Sequence, residues 1–175
     1  MSAELRELII EIQGKYKADP KEAQVTFRSE SALQSGLQSH VSMRDHKMTV
    51  DEPVNLGGKD TGPNPVELIL GALGSCQEIT YRAYATALGI PLDDVSVTLD
   101  GDIDLRGFFG VDDTVRPGFG AIKGTVHLTS SAPEADLEML RGAVNAHCPV
   151  LDMLVNPVPV DLQLDLRQPV TAAAE

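Results

Sequence analysis

Two stretches near the middle of the chain alternate apolar and polar residues, which is the pattern of strands with one face in water. Residues 95–105 place valine, leucine or isoleucine at almost every second position, and residues 122–129 show a similar alternation. No helical pattern lies between them, so we expect the two strands to pair antiparallel. Residues 158–166 alternate in the same way and predict a last strand near the C-terminus.

The N-terminal part carries weaker patterns. Residues 40–50 bear valine and methionine on both sides of a polar run that begins at Arg44, which predicts a hairpin. Residues 23–29 alternate weakly and are interpreted as a further strand. Residues 3–16 follow helical spacing, with apolar side chains at Leu5, Leu8, Ile9 and Ile12. We expect this amphipathic helix to pack on the body of the protein or on a partner subunit.

A long helix is predicted from Pro65 to Leu88. Asn64 is a favourable N-cap, proline is common at the first helical position, and Glu67 lies where a capping box places an acid. Gly89 predicts the C-terminal end of this helix. Its first half, residues 66–76, is almost wholly apolar, which indicates a helix that is buried on all sides.

A second helix is predicted to begin at a Ser131 cap, with Glu134 three residues later, and to end before Pro149. The order of elements is therefore hairpin, helix, strand pair, helix and strand. Antiparallel strands with two intervening helices make an α+β fold. The helix from Pro65 to Leu88 is too apolar for a surface position. We therefore expect it to lie either between the sheet and the second helix or against another subunit.

Composition and charge narrow the function classes. The chain has 175 residues, with 14 lysines and arginines against 26 aspartates and glutamates, and its formal net charge is −12. An acidic surface repels phosphate backbones and anionic lipids, so we expect neither nucleic-acid binding nor a membrane role. No apolar run is long enough for a transmembrane helix, and the N-terminus lacks a signal-peptide pattern, so we expect a cytoplasmic protein.

The chain length suits one domain with an appendage. We expect a helical extension over residues 1–20 and a main domain over residues 21–168. Residues 169–175 are expected to form a flexible tail.

Two cysteines are the best candidates for chemistry. Cys76 lies in the middle of the long helix, and Cys148 directly precedes the proline that ends the second helix. In a cytoplasmic chain such a pair is not a disulfide framework, so the thiols either pack or react. No residue spacing matches a zinc site, and we expect neither a metal nor another cofactor. Glu67 is either only a helix cap or a carboxylate that positions a guanidinium or a substrate beside Cys76.

Several short motifs resemble the OsmC/Ohr superfamily over about residues 23–166. They are Asp51-Glu52-Pro53, Leu56-Gly57-Gly58, Gly62-Pro63-Asn64-Pro65, Ala72 to Cys76, and Cys148-Pro149. The resemblance implies an OsmC-like α+β fold, built as an intertwined homodimer. In that arrangement antiparallel sheets from both subunits wrap around two central helices, which would explain the apolar helix around Cys76.

The resemblance also implies a chemistry. Catalytic members of the superfamily are thiol peroxidases that reduce organic hydroperoxides. Mapped by motif, Cys76 is the attacking thiol, which becomes a sulfenic acid, and Cys148 is the resolving thiol, which condenses with it to a disulfide. A dithiol reductant, in several members a lipoyl group, then restores both thiols.

The chain departs from those peroxidases beside the helix start. Their catalytic glutamate directly follows Asn-Pro, where this chain has Val66, and Glu67 comes one residue later, about 100° round the helix. An arginine held by that glutamate activates the thiol in the peroxidases, and Arg28 and Arg44 are the candidates for it here. Two alternatives remain, a non-catalytic dimer that binds an apolar small molecule and a redox sensor that forms the disulfide but turns over slowly.

Overall fold

The computed structural model describes residues 3–166, in which five α-helices, two short 3-10 helices and five strands form an α+β fold. The predicted tail over residues 169–175 lies outside the described residues. None of the described helices has the length and apolar content needed to span a bilayer. The helices are α1 Ala3–Ala18, α2 Pro65–Leu88, α3 Leu105–Phe108, α4 Glu134–His147 and α5 Pro149–Val155, and the strands are β1 Glu30–Leu33, β2 Ser39–Met43, β3 His46–Val50, β4 Asp94–Asp102 and β5 Ala121–Thr129.

An antiparallel sheet in the order β1-β2-β3 contains the predicted hairpin. Val41 lies opposite Met48, and Arg44 takes a left-handed conformation in the turn, with φ of 55°. The strand predicted over residues 23–29 is wrong, because β1 begins only at Glu30 and residues 24–29 form no regular element. A strand needs a neighbour to satisfy its backbone groups, and this segment pairs with none of the described strands.

The loop between β3 and α2 is organised by the buried carboxylate of Asp51. It accepts hydrogen bonds from the backbone N–H groups of Glu52, Lys59 and Thr61 and from the Thr61 hydroxyl, the last at 2.8 Å. The Thr61 hydroxyl and these N–H groups lower the pKa of Asp51. A Cβ at Gly58 would lie 1.8 Å from the Glu52 carbonyl oxygen, so only glycine fits there. These contacts fix the conformation of the loop and therefore the position at which α2 begins.

Helix α2 has the predicted bounds and the predicted capping box. Asn64 Oδ1 accepts from the Glu67 N–H at 2.9 Å, and Glu67 Oε2 accepts from the Asn64 N–H at 2.8 Å. Gly89 ends the helix with φ of 73°. In the single chain, however, α2 is not buried on all sides, because Ile69 is 42% exposed and Ile79 is 70% exposed.

Strands β4 and β5 form the predicted antiparallel pair, with Val97 opposite Val126. Their half-buried positions alternate with exposed ones along β4, as the sequence pattern indicated. The Arg82 guanidinium ties α2 to the start of β4 by donating to the carbonyls of Leu92 and Asp93. The core lies between the second half of α2, α4 and the ends of this strand pair; its buried members are Tyr81, Ala85, Ile90, Leu92, Leu140 and Val144.

The predicted Ser131 cap of the second helix is wrong. Helix α4 begins at Glu134, its N-cap is Pro133, and no side chain caps it. The neighbouring hydroxyl of Ser130 is used instead, since it donates to the Pro91 carbonyl and accepts from the Ala132 N–H. This hydroxyl fastens the end of β5 to the segment that follows α2.

The predicted last strand is also not formed in the single chain. Residues 157–166 have no regular structure, and Leu162, Leu164 and Leu166 are each more than 80% exposed. The single chain thus leaves the apolar side chains of this segment without cover.

Candidate functional site at the two thiols

The two cysteines, 72 residues apart in the chain, meet between α2 and the junction of α4 with α5. Their Sγ atoms are 3.3 Å apart, and the Cys148 thiol donates to Cys76. Both are free thiols, with Cys148 fully buried and Cys76 half-buried. A disulfide bond is about 2.05 Å long, so a shift of little more than an ångström would join them.

The packing of α4 on α2 brings the thiols together. Leu140 and Val144 are fully buried beside Tyr81 in the shared core. Cys148 follows Val144 by one helical turn, and its N–H donates to the Val144 carbonyl at 2.9 Å. Pro149 has no N–H to continue α4 and instead occupies the first position of α5. Cys148 is therefore held in an extended conformation between two helices.

The surroundings of Cys76 hold its thiol in the protonated form. Burial raises the pKa of Cys76, and the neighbouring Cys148 acts in the same direction. The Val150 N–H and the Thr80 hydroxyl lower the pKa, although the Thr80 hydroxyl also donates to the Cys76 carbonyl at 2.7 Å. No arginine acts on this thiol from within residues 3–166.

The three supporting residues lie elsewhere in this chain. Glu67 is engaged in the capping box, nine residues and about 13.5 Å along α2 from Cys76. Arg28 is exposed ahead of β1, and Arg44 is exposed in the turn between β2 and β3. The structure does not bring any of them to Cys76 within one chain, so their roles in the chemistry stay predictions.

The family assignment follows from the comparison with known proteins. The family model described as OsmC-like protein matches residues 58–163. The chain belongs to the OsmC-like family. This match contains both cysteines, α2, the β4–β5 pair and α4, and it leaves α1 and the β1–β3 sheet outside.

Solved structures of OsmC-like proteins share the fold. An OsmC-like protein from Mycoplasma pneumoniae superposes with a TM-score of 0.65 at 17% identity, over 77% of this chain and 90% of that one. An organic hydroperoxide resistance protein OsmC from Legionella pneumophila gives 0.58 at 24% identity, over 75% and 90%. An organic hydroperoxide resistance protein from Elizabethkingia anophelis gives 0.56 at 17% identity, over 77% and 91%. No curated protein matches this chain.

Thr80 and the Val150 N–H act on the Cys76 thiol, and the sequence assigned a function to neither. Thr80 shares the helical face of Cys76 because it is four residues further along α2, and that spacing could have indicated it. The Val150 N–H carries no sequence signal, since its position depends on how α5 packs.

A cavity of about 590 Å³ lies between α2, the strand pair and α5, and neither cysteine is among the residues that line it. Leu73 and Gln77, which flank Cys76 along α2, line it together with Leu151, the neighbour of Val150. The Gln77 side chain is only 6% exposed, and its amide makes no hydrogen bond to the described residues. The walls are mostly aliphatic, so this space suits an apolar molecule.

Proposed function

We propose that this OsmC-like protein is a thiol-dependent peroxidase that reduces organic hydroperoxides, with Cys76 attacking and Cys148 resolving. The distance of 3.3 Å between the two sulfur atoms is the observation that carries the proposal. The exposure of the thiols supports the order of attack, because a substrate can reach the half-buried Cys76 but not the fully buried Cys148.

The proposed reaction has two oxidative steps and one reductive step. The Cys76 thiolate attacks one peroxide oxygen, the O–O bond breaks, and the alkoxide leaves and takes up a proton to become an alcohol. The sulfur of Cys148 then attacks the Cys76 sulfenic acid, and hydroxide leaves with the thiol proton as water. A dithiol such as dihydrolipoamide exchanges with the disulfide, becomes a disulfide itself and restores both thiols.

Thiolate formation at Cys76 needs a group that the single chain does not supply. Burial favours the neutral thiol, and neither Val150 nor Thr80 carries a charge to offset it. We propose that a second copy of the chain brings a cation to this pocket. Arg28 and Arg44 are suited to it, because both are exposed and neither has a partner among the described residues.

The homodimer that this requires is supported by the surface of the chain. Several large apolar side chains of the described residues are exposed in the single chain, among them Phe27, Ile79 and Leu162, and a surface of this kind is typical of an interface. Among the described helices and strands, β1–β3 pack closely only against one another. The apolar residues 158–166 have the alternation of a strand but no strand beside them. Pairing with a second copy would cover the exposed apolar side chains, give the β1–β3 sheet a neighbour and provide a strand beside residues 158–166.

A slower redox sensor is the second candidate, and the raised pKa of Cys76 favours it. A sensor needs the same disulfide but not rapid turnover. Repeated turnover with excess substrate and reductant therefore separates the two functions.

Steady-state consumption of an organic hydroperoxide in the presence of dihydrolipoamide tests the proposal. We expect many turnovers per protein, and loss of at least about 100-fold of the rate in Cys76→Ser. Without the dithiol, Cys148→Ser should reduce one equivalent of peroxide and then stop, with Cys76 as a sulfenic acid. Full activity in Cys76→Ser would refute the assignment, and a single turnover in the unaltered protein would favour the sensor.

A further inference from the structure

We infer that α1 pairs antiparallel with α1 of a second copy of this chain across a twofold axis. This goes beyond the proposed peroxidase and shares with it only the need for two copies. Helix α1 lies outside the family match over residues 58–163, so the pairing would be an addition to the OsmC-like domain.

The first observation is an apolar stripe on α1 that its own chain covers only in part. Leu8, Ile12 and Tyr16 are 51%, 38% and 40% exposed, and no residue of α1 is buried. These side chains, together with the half-buried Leu5 and Ile9, fall within an arc of about 100° on the helix. An arc of that width is typical of a helix that packs against another element along its whole length.

The second observation is where α1 lies. It packs against α2, the helix on which Ile69 and Ile79 also remain exposed. Two packed elements of one chain thus both present uncovered apolar side chains.

The distribution of charge on α1 selects the second α1 as the occupant. The first eleven residues contain Glu4, Glu7 and Glu11 against one arginine, whereas the last turn contains Lys15 and Lys17. An antiparallel pair places the acidic half of each helix beside the basic half of the other, and a twofold axis makes the match reciprocal. A parallel pair would instead place like charges together.

The ion pair between Lys15 and Glu22 does not oppose the pairing of the two α1 helices. Lys15 Nζ lies 3.0 Å from Glu22, but both side chains are more than half exposed. Such a surface pair contributes little to stability, so Lys15 can turn to a carboxylate of the partner helix.

Charge-reversed variants of the full-length chain test the pairing. The basic variant carries Glu4→Lys, Glu7→Lys and Glu11→Lys, and the acidic variant carries Lys15→Glu and Lys17→Glu. Co-expressed and measured by native mass spectrometry, they should form mixed dimers at about tenfold excess over statistical pairing, and high salt should abolish the excess. Statistical pairing at low salt would overturn the inference and indicate that α1 packs on the main domain instead of on a second α1.

Substitutions in the apolar stripe of α1 test the pairing independently of its charges. Leu8→Gln with Ile12→Gln should weaken dimerisation by about tenfold in analytical ultracentrifugation. Ile10→Gln is the matched control, because Ile10 is 48% exposed and lies about 140° away from Leu5 on the helix. Equal effects of the two changes, or none from the stripe, would contradict the inference. Both experiments repeated with Cys76→Ser should give the same result, which separates the pairing from the peroxidase chemistry.

Discussion

The groups around Cys76 shift the pKa of its thiol in opposite directions. Burial and the thiol of Cys148 raise its pKa, while the Val150 N–H and the Thr80 hydroxyl lower it. The hydroxyl is the one of these that can be removed with little change of shape, since valine has almost the same volume as threonine. The pocket therefore permits a direct test of how the chain tunes this sulfur.

Replacement of Thr80 by valine should raise the pKa of Cys76 further and slow its alkylation at neutral pH by about threefold. Thr86→Val is the matched control. Thr86 also donates to the carbonyl four residues earlier at 2.7 Å and is buried in the same helix, but it is not among the groups that act on Cys76. The pH profile of iodoacetamide labelling measures both. Equal profiles for the two variants would show that the hydroxyl of Thr80 acts only on the backbone.

The start of α2 separates the structural function of Glu67 from a catalytic one. Its carboxylate accepts from the Asn64 N–H, a function that glutamine also performs in a capping box. Glu67→Gln should keep both stability and peroxidase rate, and Glu67→Ala should lose about 1 kcal/mol of unfolding free energy. Urea unfolding and peroxide consumption measure these quantities. A large loss of rate in Glu67→Gln at unchanged stability would instead assign the carboxylate to the chemistry.

Elements set by local sequence could be predicted, and those set by neighbours could not. Asn64, Glu67 and Gly89 fix the ends of α2 through contacts within a few residues, so their pattern was sufficient. The sequence over 158–166 has the alternation of a strand, but a strand also needs a partner, which one chain does not provide. The sequence likewise indicated Cys76 and Cys148 but not the Val150 N–H, because that contact depends on tertiary packing.

At the scale of the whole molecule, we propose that the chain is completed by a copy of itself. Leu162→Asp with Leu164→Asp should weaken the dimer by about 100-fold or more, because two exposed leucines would no longer be buried on association. Gln163→Asp, on the opposite face of the same segment, should have little effect. Sedimentation over a dilution series measures the dissociation constants. A monomer at every concentration of the unaltered chain would refute the dimer.

Dimerisation should also change the acidity of Cys76. In the dissociated chain its thiolate should form only above the ordinary value of about 8.5, because the raised pKa keeps the proton on the sulfur until higher pH. In the dimer, a cation from the second copy should move the midpoint of alkylation to lower pH. Labelling profiles above and below the dissociation constant measure this shift, and Arg28→Gln and Arg44→Gln identify the cation. Identical midpoints at both concentrations would show that association brings no charge to the thiol.

The most direct test of the account is mass spectrometry of the reduced protein after one equivalent of an organic hydroperoxide. Sulfur atoms 3.3 Å apart should yield a Cys76–Cys148 disulfide, which a dithiol then removes. Cys148→Ser should accumulate a sulfenic acid at Cys76 and no disulfide. If the peroxide left both thiols unchanged, or oxidised Cys76 without ever linking it to Cys148, the claim that these two residues form the reactive pair would be contradicted.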